Sequence, residues 1–206
     1  MDEDFSLPHP VALFKFFVDI LSINYHRRER DVENEKREGP RQPIVSAAHL
    51  AEGAMPALSE LEFALTVLGN GFQRWMVRCM AAADVPGLLP IDVLILHAVN
   101  HRWREKTLSD LCMMFNIEDT HVVAYALKKL KALGLVETGR RGKEKTVAVT
   151  EAGAAACARY RDVRERLLVA SVRATGFDAE RLSAVAEAMR ALSGQYDQSA
   201  RAAASL

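Results

Sequence analysis

Four cations crowd one short stretch of this chain: Arg140, Arg141, Lys143 and Lys145, with Glu144 as the lone offsetting acid. Gly139 and Gly142 flank and interrupt them, so the segment reads as a turn that projects basic side chains. Such a tip suits phosphate oxygens or a minor groove. About twenty residues upstream lies a second set with different chemistry. Thr120, His121 and Tyr125 carry hydrogen-bonding groups, Val122 and Ala124 carry methyls that suit thymine, and Lys128 and Lys129 suit phosphates. Thr107 and Ser109, at the start of a short preceding helix, complete the candidate DNA-binding set.

The elements that must position these groups follow from the hydrophobic period. Pro90 opens a helix to about residue 101 whose buried side is Ile91, Leu94, Ile95 and Ala98. Thr107 caps a short helix, Leu108 to Phe115, with Asp110 in its first turn. Asn116-Ile117 forms a tight turn. Glu118 or Asp119 starts a third helix running to about Leu133, with Val123, Ala126 or Leu127, Leu130 and Leu133 inward and Gly134 as its C-terminal cap. The period then changes to two. Leu135 to Thr138 reads as a strand, 139–143 as the basic turn, and Thr146 to Val149 as the returning strand. A helix as short as Leu108 to Phe115 holds only by packing on its neighbours. That packing leaves one face of the third helix free for a major groove.

Long helices are expected on both sides. Ser59 and Glu62 form a capping box ahead of the stripe Leu61, Leu65, Leu68, Phe72, Trp75 or Met76, and Cys79. Gly69 and Gly71 within it mark a close helix crossing or a break. Thr150 caps a helix to about Ala174, Thr175-Gly176 interrupts it, and Asp178 caps another to about Leu192. The expected organisation is an N-terminal extension over 1–50, with an amphipathic helix from Val11 to Tyr25 and a charged linker. A dimerisation helix over 59–84, a winged head over 85–153, further dimerisation helices over 150–192 and a flexible tail over 193–206 follow.

Composition narrows the remaining choices. Lys plus Arg and Asp plus Glu both total 27, so net charge gives no general attraction to nucleic acid, and charge position must supply it. Half the residues are hydrophobic, enough for a core. The three cysteines, Cys79, Cys112 and Cys157, are widely spaced and form no CxxC, which argues against a disulfide framework or a zinc site. The acidic start Met1-Asp-Glu-Asp differs from a secretory signal. The expected setting is the cytoplasm. His97 and His101 lie one turn apart, but no acid completes an HExxH pattern between them. No phosphate loop, nucleophile elbow or carboxylate pair stands out, so neither catalysis nor a cofactor is expected.

The stretch Thr107-Leu-Ser-Asp-Leu-Cys-Met-Met-Phe-Asn-Ile, then Val123 to Leu130, Leu133-Gly-Leu-Val-Glu and Val147-Ala-Val-Thr-Glu-Ala-Gly153 resembles the MarR-type winged-helix regulators. The resemblance implies a mainly α fold with a small β-hairpin wing, and N- and C-terminal helices that intertwine in a homodimer. It also implies a pseudo-palindromic double-stranded DNA target and small aromatic or phenolic ligands bound between base and reading heads. Two departures stand out. The acidic residue and arginine usual before the family's second wing strand fall on Arg141 and Lys143, and threonine and arginine of the reading helix fall on Ala124 and Tyr125. The expected function is sequence-specific DNA binding by a homodimeric transcriptional regulator, released by a small ligand. The alternative is a protein-interaction module that keeps the winged-helix shape.

Overall fold

A computed structural model of the chain describes residues 42–206. The expected helix from Val11 to Tyr25 and most of the charged linker lie outside the described residues. The chain divides into two compact units, the first ending at Thr66 and the second running from Val67 to Leu206.

A 3-10 turn, Ala48–Ala51, lies in the first unit, and the long helix α1, Pro56–Ala82, begins there and ends in the second. Ser59 therefore lies inside α1 rather than at its cap. Its hydroxyl donates to Leu50 O at 2.6 Å, while the helix opens three residues earlier, on proline, whose fixed φ and missing N–H suit a first turn. The helix runs unbroken through Gly69 and Gly71, and among the described residues no close neighbour occupies the space a side chain on Gly69 would fill.

The second unit is mainly helical, with one two-stranded antiparallel sheet. Helix α2 is Pro90–Asn100, α3 Leu108–Phe115, α4 Thr120–Ala132; strand β1 is Val136–Arg141 and β2 Glu144–Val149. Helix α5, Glu151–Arg164, continues through a π turn, Glu165–Val169, into α6, Ala170–Ala174. Helix α7, Ala179–Ala203, follows the break at Gly176 and extends well past Leu192 into the stretch expected to fray. Asp178 caps it, accepting from Arg181 N at 2.8 Å.

One core holds the unit together. Met76, Cys79 and Met80 of α1 meet Val93, Leu96 and Val99 of α2, Leu111 of α3, Val123 and Leu130 of α4, Val136 and Val147 of the sheet, and Ala156 and Tyr160 of α5. The inward residues of α4 recur at three- and four-residue spacing, as an amphipathic helix requires. Gly153 is fixed by packing, because a β-carbon there would collide with the Leu135 carbonyl oxygen. That close approach seats the start of α5 on the root of the hairpin. Helix, short helix, turn, helix and antiparallel hairpin in this order make the unit a winged helix-turn-helix.

Candidate nucleic-acid interface

The short helix α3 is locked at both ends. Thr107 Oγ1 accepts from Asp110 N at 3.1 Å, and Asp110 Oδ2 accepts from Thr107 N at 2.8 Å. These reciprocal bonds satisfy two otherwise orphaned donors and hold the Asp110 carboxyl below the usual carboxylate range. At the other end Asn116 turns left-handed, φ 53°, a conformation its short polar side chain tolerates. Its amide donates to both carboxylate oxygens of Asp197 on α7 at 2.9 Å.

Asp119 then caps α4, accepting from His121 N at 2.9 Å. The helix ends at Gly134, φ 70°, with Leu135 N bonded to Leu130 O and Gly134 N to Lys131 O, the Schellman pattern. The inward stripe fixes the outward one. His121, Ala124, Tyr125 and Lys128 fall together on the solvent side, with Thr120 and Val122 on its two shoulders, all exposed. Tyr125 keeps 72% of its surface open. Ser109 is exposed and Thr107 half-buried.

Lys129 takes a different course from its neighbour Lys128. Its ammonium bonds Asp92 Oδ2 at 2.7 Å and Gly87 O at 2.8 Å. Asp92 is buried and also accepts from Leu89 N at 2.7 Å, closing the first turn of α2. In this structure the Lys129 ammonium is thus paired with a buried carboxylate, whereas Lys128 is exposed. The side chain of residue 129 leans toward α2, where a buried carboxylate needs a cation.

The hairpin is longer and tighter than its composition suggests. Pairing runs from Val136↔Val149 to Arg141↔Glu144, leaving Gly142 and Lys143 as a two-residue loop. Gly139 to Arg141, expected in the turn, are strand. Glycine at the first loop position, φ 64°, matches a type II′ turn. Arg141 reaches Glu144 Oε2 across the loop at 3.4 Å. Arg140 and Lys145 stand directly opposite one another with no acidic partner among the described residues. Like charges so placed destabilise a sheet, and an anion brought between them would reverse the sign.

One supporting residue escaped the sequence reading. Lys106 is buried, pairs with Val147 by backbone bonds of 3.0 and 2.8 Å, and donates its ammonium to His101 O and Arg104 O. Burial, with Arg104 nearby, pushes its pKa down. It ties the basic turn carrying exposed Arg102 and Arg104 to the wing. The only hint in the sequence was the Arg102-Trp103-Arg104 run ahead of Thr107.

A separate cleft of about 480 Å³ opens between α2 and α5, lined by His97, Asn100, Cys157, Tyr160, Arg161 and Arg164 among others. Two buried polar atoms of its lining residues, His97 Nε2 and Asn100 Oδ1, have no hydrogen-bond partner among the described residues. Burial lowers the His97 pKa, and its ring meets Tyr160 edge-on at 4.5 Å. Cys157 beside it is pushed up to about 11 by burial. Among the described residues no cluster of three or more His, Cys, Asp or Glu could hold a metal, and no helix is long and apolar enough to cross a membrane.

The fold and interface thus define a winged-helix protein. A family model described as a winged helix DNA-binding domain matches residues 88–153. Among solved structures, a MarR family regulator from Neisseria meningitidis is similar at TM-score 0.55 and 16% identity, over 69% of this chain and 95% of that one. The transcriptional regulator BldR from Sulfolobus solfataricus gives 0.55 and 18%, over 69% and 99%. A cysteine-to-serine mutant of MarR from E. coli, complexed with operator DNA, gives 0.54 and 13%, over 68% and 99%. These likenesses establish a MarR-like winged-helix fold. No curated protein matches the chain.

Proposed function

We propose that this protein is a homodimeric transcriptional regulator that binds double-stranded DNA sequence-specifically. The observation that carries the reading is an exposed α4 face followed by a hairpin whose opposed Arg140 and Lys145 lack an acidic partner among the described residues. A helix of this width fits a major groove while a basic hairpin meets phosphate or minor groove. The solved relative bound to operator DNA supports it. The test is selection of genomic fragments by purified protein, with titrations at several salt concentrations. Specific sites should bind at least about a thousandfold more tightly than bulk DNA, and the absence of any selected fragment would sink the reading.

Dimerisation is supported by apolar side chains left open on the long helices. Leu65, Leu68 and Phe72 of α1 are exposed, as are Leu182, Val185 and Met189 of α7. Patches of this kind mark association surfaces. A twofold dimer calls for a pseudo-palindromic site, and sedimentation at micromolar protein should return twice the chain mass. The 59–84 and 150–192 segments would form its base and 85–153 its reading head. Buried free thiols at Cys79, Cys112 and Cys157 suit a reducing cytoplasm.

Control by a small aromatic ligand is supported by the α2–α5 cleft. It is lined by a tyrosine ring and two arginines, with two buried polar atoms of His97 and Asn100 that have no hydrogen-bond partner among the described residues. A ligand that weakens DNA binding must itself be weakened equally by DNA. Calorimetry with a phenolic carboxylate, with and without operator, tests this coupling. A winged module that binds protein instead is favoured by the bare Met113 and Tyr125. It predicts a co-purifying partner and indifference to charge reversal at Arg140, Arg141 and Lys143.

A further inference from the structure

We infer that thymine methyl groups, more than guanine edges, carry the sequence discrimination of α4, so that the half-site is A·T-rich where this helix lies in the groove. The inference rests on the DNA-binding reading and sharpens its target. The helix reads Thr-His-Val-Val-Ala-Tyr-Ala-Leu-Lys-Lys-Leu-Lys-Ala and holds no arginine, asparagine or glutamine. Those side chains make paired hydrogen bonds to guanine or adenine edges, and lysine, which also reaches guanine, first occurs in this helix at residue 128. Near the N-terminal end, where base edges are reached, Thr120 and His121 share the exposed surface with three apolar contributions, the Val122 and Ala124 methyls and the open Tyr125 ring. The thymine methyl is the apolar group a major groove offers; cytosine presents hydrogen at the same carbon. Lys128 lies about one turn beyond Ala124, where a single flexible ammonium suits phosphate.

A second observation points to the same base pairs. Arg140 and Lys145 face each other across the hairpin without an acid between them among the described residues. Runs of A·T narrow the minor groove and deepen its negative potential, which attracts inserted cations. Both reading elements therefore favour one kind of sequence.

The test begins with the full-length protein and a site taken from fragment selection. Each thymine of one half-site is replaced in turn by deoxyuridine, which removes only the methyl. At one or two positions affinity should fall about fourfold, as expected for uncovering one methyl-sized apolar group. Ala124→Gly and Val122→Ser remove the methyl groups at these exposed positions, and circular dichroism checks that each variant stays helical. In the variant facing a sensitive thymine, the deoxyuridine penalty should vanish at that position, while Lys128→Met should leave it intact. Uracil tolerated at every position overturns the inference, whatever guanine analogues do, and leaves DNA binding itself standing. A failure to select any site overturns both.

Discussion

Lys128 and Lys129 are neighbours on one helix, yet they belong to two different regions. At the corner where α4 meets α2, charge is turned inward and paired. Lys129, Asp92, Gly87 O and Leu89 N form one connected set with a buried carboxylate at its centre. On the wing, charge is turned outward and opposed. Arg140 faces Lys145, and the adjacent Glu144 pairs with Arg141. The first region stabilises the head in isolation. The second leaves Arg140 and Lys145 without an acidic partner among the described residues. A count of lysines and arginines cannot separate these roles, because burial of the partner decides them.

The contrast can be broken from its inward side first. Gly153→Ala forces a methyl against the Leu135 carbonyl and should cost about 3 kcal/mol by overpacking. Thermal melting would read this, and an unchanged midpoint would refute the packing account. Asp92→Ala removes a buried acceptor serving two donors. It should cost about 2 kcal/mol, with DNA affinity of the folded fraction little altered.

The outward side should respond in the opposite sense. Arg140→Ala combined with Lys145→Ala should leave the melting temperature unchanged or slightly higher. DNA affinity should fall roughly tenfold at moderate salt, and the log–log salt slope should shrink by about two. A clear loss of stability would mean that the pair is structural after all. The two adjacent lysines give the sharper version. Lys128→Met should lower the salt slope by about one without touching stability, whereas Lys129→Met should lower stability by about 1 kcal/mol and leave the slope alone.

The smallest effect concerns His97. Burial lowers its folded pKa from the ordinary 6.5. As pH falls below 6.5 the unfolded chain takes up a proton that the folded one resists, so stability declines until the lowered folded value is passed. Urea titrations across this range should show that decline in the parent protein and a flatter profile in His97→Gln. An identical profile would place the titration elsewhere.

Much of the head was legible because local chemistry and packing agree there. Pro90 opening α2, the Thr107–Asp110 cap, the Asp119 cap and Gly134 at the end of α4 all follow from short-range rules. Ser59 and the hairpin tip did not, for two reasons. A capping pattern loses to an earlier proline start when the upstream chain folds back, as the Ser59 to Leu50 bond shows. Strand pairing carried Gly139 to Arg141 into the sheet, since Thr146 is buried opposite Gly139 and only two residues are needed to turn.

The sequence alone determined the order of elements, the inward stripe of α4 and the presence of a basic hairpin, because periodicity, caps and glycines act within a few residues. Only the tertiary structure decided which of two adjacent lysines faces α2, that Lys106 is buried beneath the wing, and that His97 and Asn100 bury polar atoms with no hydrogen-bond partner among the described residues. Those outcomes depend on groups far apart in the chain meeting out of water, where an unpaired charge or polar atom is costly and its partner is set by the packing.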